Sequence, residues 1–240
     1  MKFGKVNAPE LIDFTLPNTH EKTVNLLNSF DKVEKPTIYV GCAKWNKADL
    51  KGFYPKGTKD ELAYYSKQFN SIELNATFYR QFSEEQFKKW HLKTPKEFKF
   101  FPKLTQDISH FNRLQGVESS VNLFLVNSAH LQDKLGTIFL QMHTDFDIRY
   151  FKRLQNFVVS WPKEIRLAIE LRNEKWFEDK IIFDEFTQLF EENNIANILV
   201  DTSGRRDMLH MRLTNNEAFI RFVGANHPSD YERLDAWVLK

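Results

Sequence analysis

Seven short runs of β-branched and aromatic residues recur along the chain, and this alternation limits what the chain can fold into. Longer segments with apolar residues at helical spacing separate the runs, as at Leu62, Tyr65 and Phe69. Such an order predicts an α/β fold with a parallel sheet, either open and doubly wound or closed as most of an eightfold barrel. The predicted strands are Ile38–Cys42, Ser71–Asn75, Phe98–Lys103, Thr137–Met142, Leu167–Leu171, Asn197–Asp201 and Phe219–Val223.

Three of the intervening helices begin with a capping-box pattern, in which two side chains satisfy unpaired backbone amides reciprocally. The pairs are Thr58 with Glu61, Ser83 with Gln86, and Ser229 with Glu232. The helix expected between the sixth and seventh strands is the weakest, because residues 204–216 offer only Met208 and Met211 as an apolar stripe.

Residues 1–36 differ from the rest of the chain. Pro9, Pro17 and Pro36 interrupt a charged, irregular stretch, which is typical of an extension rather than of a regular element. A chain of 240 residues is long for one domain and short for two. We therefore predict an N-terminal extension over residues 1–36 that packs on a single large domain over residues 37–240.

Composition excludes several classes of protein. Only eight of 240 residues are glycine, which argues against Gly-rich phosphate loops and flexible linkers. A net charge of +2 argues against a wide polyanion-binding surface but leaves a local basic patch open. Cys42 is the single cysteine, so no intrachain disulfide forms. The sequence has no apolar run typical of a signal or membrane span, and we expect a cytoplasmic protein that does not associate with membranes.

Several otherwise apolar strands carry polar residues at alternating positions or near their carboxyl ends. Buried charges are costly unless they are paired or used. In a parallel barrel such residues converge on the mouth at the carboxyl ends of the strands, where active sites lie. The pattern therefore favours a TIM (β/α)8-type barrel over an open sheet. The residues are Glu73, Asn75, Gln141, Glu170, Arg172, Asp201 and Arg221.

A set of motifs that occur in order over residues 38–240 resembles the YecE-like proteins, a family classed as a domain of unknown function. The motifs are Ile38–Trp45, Phe53–Pro55, Phe69–Arg80, Phe98–Lys103, Ser109–His110 with Arg113–Leu114, Leu135–Gly136, Leu140–Gln141, Ala168–Arg172 with Trp176, and Arg221 before Gly224. The resemblance implies a TIM barrel, which agrees with the strand pattern, and it implies no particular reaction.

The sequence departs from the family pattern at two places. His143 stands where members of the family often have proline, so the resemblance gives that position no role. The helix that begins at Ser229 extends only to Lys240, whereas relatives continue with an eighth strand and helix. We therefore expect a barrel that lacks its last βα unit through truncation; residues 1–36 or a second chain are the alternative sources of the missing wall.

Glu73 and Glu170 are the leading candidates for catalysis, since paired carboxylates with different environments can donate and accept protons. Asp201 or His110 would assist. The alternative is structural, with each glutamate held in a buried ion pair by Lys103, Arg172 or Arg221.

The candidate substrate-binding residues fall into three groups. Lys103, Arg172 and Arg221 would orient an anion, whereas Asn75 and Gln141 would bind neutral groups by hydrogen bonds. Three aromatic residues that follow strands would stack on a ligand ring unless they belong to the core. These are Trp45, Tyr79 and Trp176.

Two classes of function fit these residues. The leading hypothesis is an enzyme of hydrolase, isomerase or lyase type that performs acid–base chemistry on a small polar or anionic substrate. The alternative is a non-catalytic module for a phosphorylated ligand or nucleic acid, with Arg205, Arg206 and Arg212 as a basic patch, unless these three pair with Asp201 and Asp207.

No cofactor is predicted. A divalent metal held by Glu73, Glu170, Asp201 and one histidine remains open, although no motif has tight ligand spacing.

Overall fold

A computed structural model describes residues 6–30, 35–224 and 227–239. It confirms a mixed α/β fold with parallel strand pairing. The strands are β1 (Ser71–Leu74), β2 (Lys99–Pro102), β3 (Ile138–Gln141), β4 (Leu167–Glu170), β5 (Ala196–Asn197), β6 (Leu199–Thr202) and β7 (Ile220–Val223). The α-helices are α1 (Glu21–Asn28), α2 (Glu61–Tyr65), α3 (Ala76–Tyr79), α4 (Glu84–Lys93), α5 (Glu118–Ser128), α6 (Phe151–Ser160), α7 (Lys175–Glu178), α8 (Lys180–Glu192) and α9 (Ser229–Leu239).

The chain divides into two compact units, and each is named after one of its segments. The 33–143 unit comprises Val33–His143 and Ser160–Leu167. The 168–240 unit comprises Met1–Lys32, Thr144–Val159 and Ala168–Lys240. This division does not follow the predicted boundary at residue 36.

In the 33–143 unit, β1 and β2 pair in parallel from Ser71 opposite Lys99 to Leu74 opposite Pro102. Parallel bridges link Phe100 to Leu135 and Lys103 to Phe139, which brings β3 beside β2. One face of these strands packs against α2 and α4. The buried apolar cluster consists of Leu62, Tyr65, Ile72, Leu74, Phe87, Trp90, Phe98, Phe100 and Leu131.

The predicted strand Ile38–Cys42 is wrong, because the segment forms no strand ladder with β1. Two of its backbone amides instead donate hydrogen bonds to side chains. Val40 N donates to Asn70 Oδ1 at 2.7 Å, and Cys42 N donates to Tyr65 Oη at 2.6 Å. One backbone bond to β1 is made, from Glu73 N to the Cys42 carbonyl at 3.0 Å.

In the 168–240 unit, β4 pairs with β5 at Ala168–Ala196 and Ile169–Asn197, and β6 pairs with β7 from Leu199 opposite Ile220. The predicted strand Asn197–Asp201 is therefore two strands, interrupted at Ile198, whose amide donates to the Ile169 carbonyl at 3.0 Å. Strand β5 pairs with β4, whereas β6 pairs with β7.

Residues near the N-terminus pack within this unit. Thr23 Oγ1 donates to the Met211 carbonyl at 3.0 Å and accepts from Leu213 N at 2.9 Å, and Lys22 Nζ lies 2.8 Å from Asp184 Oδ1 on α8.

The eightfold barrel is not confirmed. The pairings within the described ranges join strands into small sheets and do not close into a barrel. A closed barrel requires continuous backbone hydrogen bonding between neighbouring strands. Residues 38–42 instead donate backbone amides to side chains, and the strand pairing is interrupted at Ile198.

Two of the predicted helix starts differ in detail. Asp60, not Thr58, caps α2 by accepting from Ala63 N at 3.1 Å. Ser83 precedes α4 as predicted, but its side chain makes no capping bond to the backbone. Helix α9 begins at Ser229, whose side chain lies outside what the structure describes. Between β6 and β7 the expected helix is replaced by one 3₁₀ turn, Arg206–Met208.

None of the helices in the described ranges is long and apolar enough to cross a bilayer.

Candidate functional site

One face of the β1, β2 and β3 strands in the 33–143 unit is polar. Glu73 pairs in register with Phe101, and Lys103 with Phe139. Because side chains alternate along a strand, Glu73, Lys103 and Gln141 lie on one face, opposite the apolar cluster. We name Glu73, Asn75, Lys103 and Gln141 the 73–141 face. It lies toward the carboxyl ends of the parallel strands, where binding sites form in α/β proteins.

Lys103 is buried on this face, with an exposed fraction of 6%. Its Nζ donates to Gln141 Oε1 at 2.7 Å and lies 4.3 Å from the centroid of the Phe78 ring. Thr77 Oγ1 accepts from Lys103 N at 3.1 Å and donates to the Lys103 carbonyl, which fixes the backbone. An amide oxygen and an aromatic face thus stabilise the Lys103 side chain in its buried position.

Glu73 is half-buried and is oriented by its neighbour. Asn75 Nδ2 donates to Glu73 Oε1 at 2.6 Å and approaches the Ala43 carbonyl at 3.5 Å. The strand positions these two side chains, since Asn75 directly follows β1 and precedes α3. The Asn75 amide and the Glu73 carboxylate are therefore in direct contact.

His110 lies in a π-helical turn, Asp107–Phe111, after β2. Ser109 Oγ donates to the Thr105 carbonyl at 3.1 Å and lies 2.8 Å from His110 Nδ1. Because the Ser109 hydroxyl proton is directed to the Thr105 carbonyl, we assign a ring proton of His110 to Nδ1, which donates to Ser109 Oγ. Isolated π-helical turns occur frequently at functional sites.

Two neighbours of His110 were not assigned to the site from the sequence. The Phe78 ring lies 4.9 Å from the His110 ring and the His143 ring 5.0 Å from it, both edge to face. His143 follows Gln141 by two residues, just beyond the end of β3. Residues two apart on a strand share a face, so this spacing could have predicted that His143 lies on the same side as Gln141.

In the 168–240 unit, two guanidinium groups share one carboxylate at the end of β4. Arg221 Nη1 donates to Glu170 Oε2 at 2.5 Å, and Arg172 Nε lies 3.4 Å from Glu170 Oε1. Glu170 is only 1% exposed. Burial lowers the pKa of Arg172, Glu170 opposes this effect, and the nearby Arg221 and Arg205 add to it. The cluster is thus a concentrated cationic environment around a carboxylate.

The three arginines predicted as a basic patch, which belong to this unit, pair with carboxylates of the chain. Arg205 forms a bidentate contact with Asp207, and Arg206 Nη1 donates to Asp201 Oδ1 at 2.6 Å. Arg212 is buried and bonds to Glu191 Oε2. Pairing of these three arginines with Asp201 and Asp207 was one predicted alternative. It is confirmed for Arg205 and Arg206 but wrong for Arg212, which pairs with Glu191, and Arg205 and Arg212 are buried rather than solvated.

Asp201 is completely buried between two donors, Arg206 and Trp237, whose Nε1 donates to Asp201 Oδ2 at 2.7 Å. Because both carboxylate oxygens are bound by donors, this geometry favours a structural role for Asp201 over the predicted assisting role.

The three aromatic candidates have different surroundings. Trp176 is on α7 rather than in a loop, is fully buried, and donates from Nε1 to the Phe146 carbonyl at 2.7 Å, so it is a core residue. Tyr79 ends α3 and is 70% exposed. Trp45 is half-buried and lines a cavity that contains none of the other candidates.

The structure thus brings Glu73, Asn75, Lys103 and Gln141 together in one unit and Glu170, Arg172 and Arg221 in the other. Action of Glu73 and Glu170 as a pair stays a prediction. Within the residues that the structure describes, no three histidine, cysteine or acidic side chains are arranged to hold a metal ion.

Comparison with known proteins gives a family and a fold. The model of the family described as "Protein of unknown function DUF72" matches residues 39–240. UPF0759 protein YecE of Escherichia coli strain K12 is 24% identical over 225 residues, covering 85% of this chain and 80% of YecE. UPF0759 protein YunF of Bacillus subtilis strain 168 is 26% identical over 204 residues, covering 79% of this chain and 71% of YunF.

Solved structures with similar folds come from the same family. A DUF72 family protein from Enterococcus faecalis is 22% identical with a TM-score of 0.65, covering 80% of this chain and 73% of that one. A DUF72 family protein from Thermotoga maritima is 25% identical with a TM-score of 0.63, covering 79% and 75% of the two chains. None of these descriptions states an activity.

Proposed function

Since the chain belongs to the DUF72 family, whose description states no reaction, we propose from its own residues that it is an enzyme performing acid–base chemistry on a small anionic substrate. The observation that carries the proposal is the 73–141 face. A carboxylate, a buried ammonium and two amides lie there together, near the carboxyl ends of parallel strands. General acid–base catalysis requires a proton acceptor and a fixed charge in one sheltered place.

In this proposal Glu73 is the general base. Asn75 donates to Glu73 Oε1 at 2.6 Å, which orients the carboxylate that takes a proton from the substrate. Lys103, held by Gln141 and Phe78, stabilises the negative charge that develops on the substrate. His110, which Ser109 contacts at Nδ1, returns or removes a second proton.

The arginines of the 168–240 unit support an anionic substrate. Arg172 and Arg221 present two planar donor groups, which suit carboxylate or phosphate oxygens. In this role Glu170 is a positioning residue that holds both guanidinium groups, rather than the second proton-transfer group.

A non-catalytic module for a phosphorylated ligand is the second candidate, and the same arginine cluster favours it. It predicts binding of inorganic phosphate that weakens steeply with salt and is followed by no turnover. The nucleic-acid form of this alternative has less support, since Arg205, Arg206 and Arg212 bond to carboxylates of the chain.

We also propose that the short parallel sheets belong to a TIM-type barrel. The β–α order of the chain and the parallel pairing within each unit support this. A crystal structure with all strands in one closed sheet is the expected result; an open sheet would contradict the proposal.

Turnover in D₂O tests the enzymatic proposal. The protein is incubated with small keto acids, sugar phosphates and phosphate esters, and proton NMR follows deuterium incorporation or new products. We expect wild-type turnover of at least one compound and a rate at least about 100-fold lower for Glu73→Gln and for His110→Gln. Glu84→Gln, a change of a partly exposed helix residue that pairs with Lys88, is the matched control and keeps the wild-type rate.

Two results would contradict the proposal. One is turnover by Glu73→Gln at the wild-type rate. The other is phosphate binding by the wild type together with no turnover of any compound, which would favour the binding module. Melting temperatures of the variants separate loss of chemistry from loss of folding.

A further inference from the structure

A second recess of the 33–143 unit lies apart from the 73–141 face. It is a cavity of about 310 Å³, lined mainly by residues of α2 and α4 and by Trp45. Its volume is at the lower end of the range for small-molecule sites. None of the residues assigned to proton transfer or to the arginine cluster lines it, so an occupant would not be the proposed substrate in its reacting position.

Two indoles form the apolar part of the cavity lining. Trp45 and Trp90 have ring centroids 6.0 Å apart at an interplanar angle of 80°. Because Trp90 is only 6% exposed, the accessible face is that of Trp45, and a planar ring stacked on Trp45 directs its own edge at Trp90, which is a favourable aromatic geometry. Trp90 is buried against Phe87 and Phe82, so this wall is rigid.

Trp45 is also fixed through its backbone. The Tyr54 hydroxyl donates to the Trp45 carbonyl. Burial raises the pKa of Tyr54 to about 12, so the hydroxyl keeps its proton and remains a donor at physiological pH. The indole position thus depends on a contact that neutral pH leaves intact.

Lysines line the polar part of the cavity. Lys93 Nζ lies 2.5 Å from Asp60 Oδ2, while Asp60 Oδ1 caps α2. Lys59 and Lys89 are exposed, and neither forms an ion pair with any residue of the described ranges. Glu61 is the second acidic residue of the lining, so three lysines and two carboxylates sum to a formal charge of +1.

We propose that this cavity binds a small aromatic anion: one or two fused planar rings that carry a sulfonate, carboxylate or phosphate group. The ring lies against Trp45 and Trp90, and the anionic group lies between Lys59 and Lys89. Neither feature alone defines the ligand, because the indoles select a flat ring and the lysines select negative charge.

Indole signals in two-dimensional proton–nitrogen NMR spectra test the proposal. The chain has five tryptophans, and Trp45→Phe and Trp90→Phe assign the two relevant signals. Naphthalene-1-sulfonate is the probe, naphthalene-1-methanol is the uncharged probe, and methanesulfonate is the probe without a ring. We expect naphthalene-1-sulfonate to shift the Trp45 and Trp90 signals with a Kd on the order of 1 mM, and the other two probes to bind at least about tenfold more weakly.

Charge variants test the lysines. Lys59→Gln and Lys89→Gln each weaken binding of naphthalene-1-sulfonate about threefold to fivefold. Lys88→Gln is the matched control, because Lys88 neighbours Lys89 in sequence but lies 3.3 Å from Glu84 and does not line the cavity. All three positions are exposed, so the variants keep the fold.

Three results would overturn the proposal: no shift of the Trp45 and Trp90 signals, equal binding of the uncharged probe, or equal weakening by Lys88→Gln and Lys89→Gln. The readout is independent of turnover and of Glu73, so its failure would leave the proposed acid–base function untouched.

Discussion

The two units stabilise buried charges in different ways. In the 168–240 unit, buried Glu170 contacts two guanidinium groups and buried Arg212 contacts Glu191. In the 33–143 unit, buried Lys134 donates to the carbonyls of His91 and Thr94 and to the Thr94 hydroxyl, at 2.5–3.2 Å. One unit thus pairs opposite charges, and the other surrounds an ammonium with neutral oxygens.

This difference predicts which buried charged side chains contribute most to the stability of the fold. Removal of one member of a buried ion pair leaves an uncompensated charge, which is strongly destabilising. Removal of a cation that is held by neutral oxygens also removes the charge that had to be desolvated, so the net cost is smaller. We expect substitutions in the ionic clusters to affect stability more than equivalent substitutions among the neutral partners.

The largest expected effect follows Glu170→Gln. The amide keeps the shape of the side chain but leaves Arg172 and Arg221 without their shared carboxylate. We expect a loss of about 3–5 kcal/mol in the free energy of unfolding, measured by urea denaturation at pH 7. Glu192→Gln, an exposed change at the end of α8, is the control and costs less than about 0.5 kcal/mol. A loss below about 1 kcal/mol for Glu170→Gln would remove the contrast between the units.

Much of the fold could be predicted from sequence because strand periodicity is local. Five of the seven predicted strands coincide with single observed strands, and a sixth, Asn197–Asp201, is divided between β5 and β6. Ile38–Cys42 failed because Asn70 and Tyr65, distant in sequence, supply the bonds that a neighbouring strand would supply. The interruption at Ile198 likewise depends on which neighbours β5 and β6 take.

Site residues were harder to predict than strands, because burial and partners decide their roles. The sequence predicted that Trp176 stacks on a ligand ring, but Phe146 and Phe151 stack on it and make it part of the core. The sequence offered both alternatives for Arg205 and Arg206, and only three-dimensional contacts identify Asp207 and Asp201 as their partners.

A half-buried histidine that is enclosed by aromatic rings gives the next largest effect. His210 lies 5.4 Å from the Phe177 ring and 4.8 Å from the Phe183 ring, and its Nδ1 accepts from Arg212 N at 3.2 Å. Burial, with smaller contributions from His20 and Arg212, lowers the pKa of His210 to about 3. An unfolded histidine has a pKa of about 6.5, so the unfolded state binds the proton more readily.

The contribution of His210 to stability is therefore complete above about pH 6.5 and is lost as the pH falls from about 6.5 toward about 3. The expected loss is up to about 1.4 kcal/mol per pH unit, or about 2 kcal/mol at pH 5. Urea denaturation between pH 7 and pH 5 measures it. His210→Gln should flatten the pH dependence, whereas His130→Gln, at a partly exposed site beside Glu84, should retain it. Parallel curves for His210→Gln and the wild type would contradict the prediction.

The smallest effect is expected for Lys134→Met, which tests the neutral side of the comparison. Methionine keeps the aliphatic stem and removes the ammonium, whose pKa burial lowers in the folded protein. The carbonyls of His91 and Thr94 at the end of α4 lose their donor, but the cost of burying the charge disappears too. We expect a net loss of about 1 kcal/mol, measured by urea denaturation at pH 7 beside the exposed control Lys96→Met. A loss as large as that of Glu170→Gln would show that neutral oxygens stabilise a buried cation as strongly as a carboxylate does. The stability of the two units would then depend equally on their buried charges, although the partners of those charges differ.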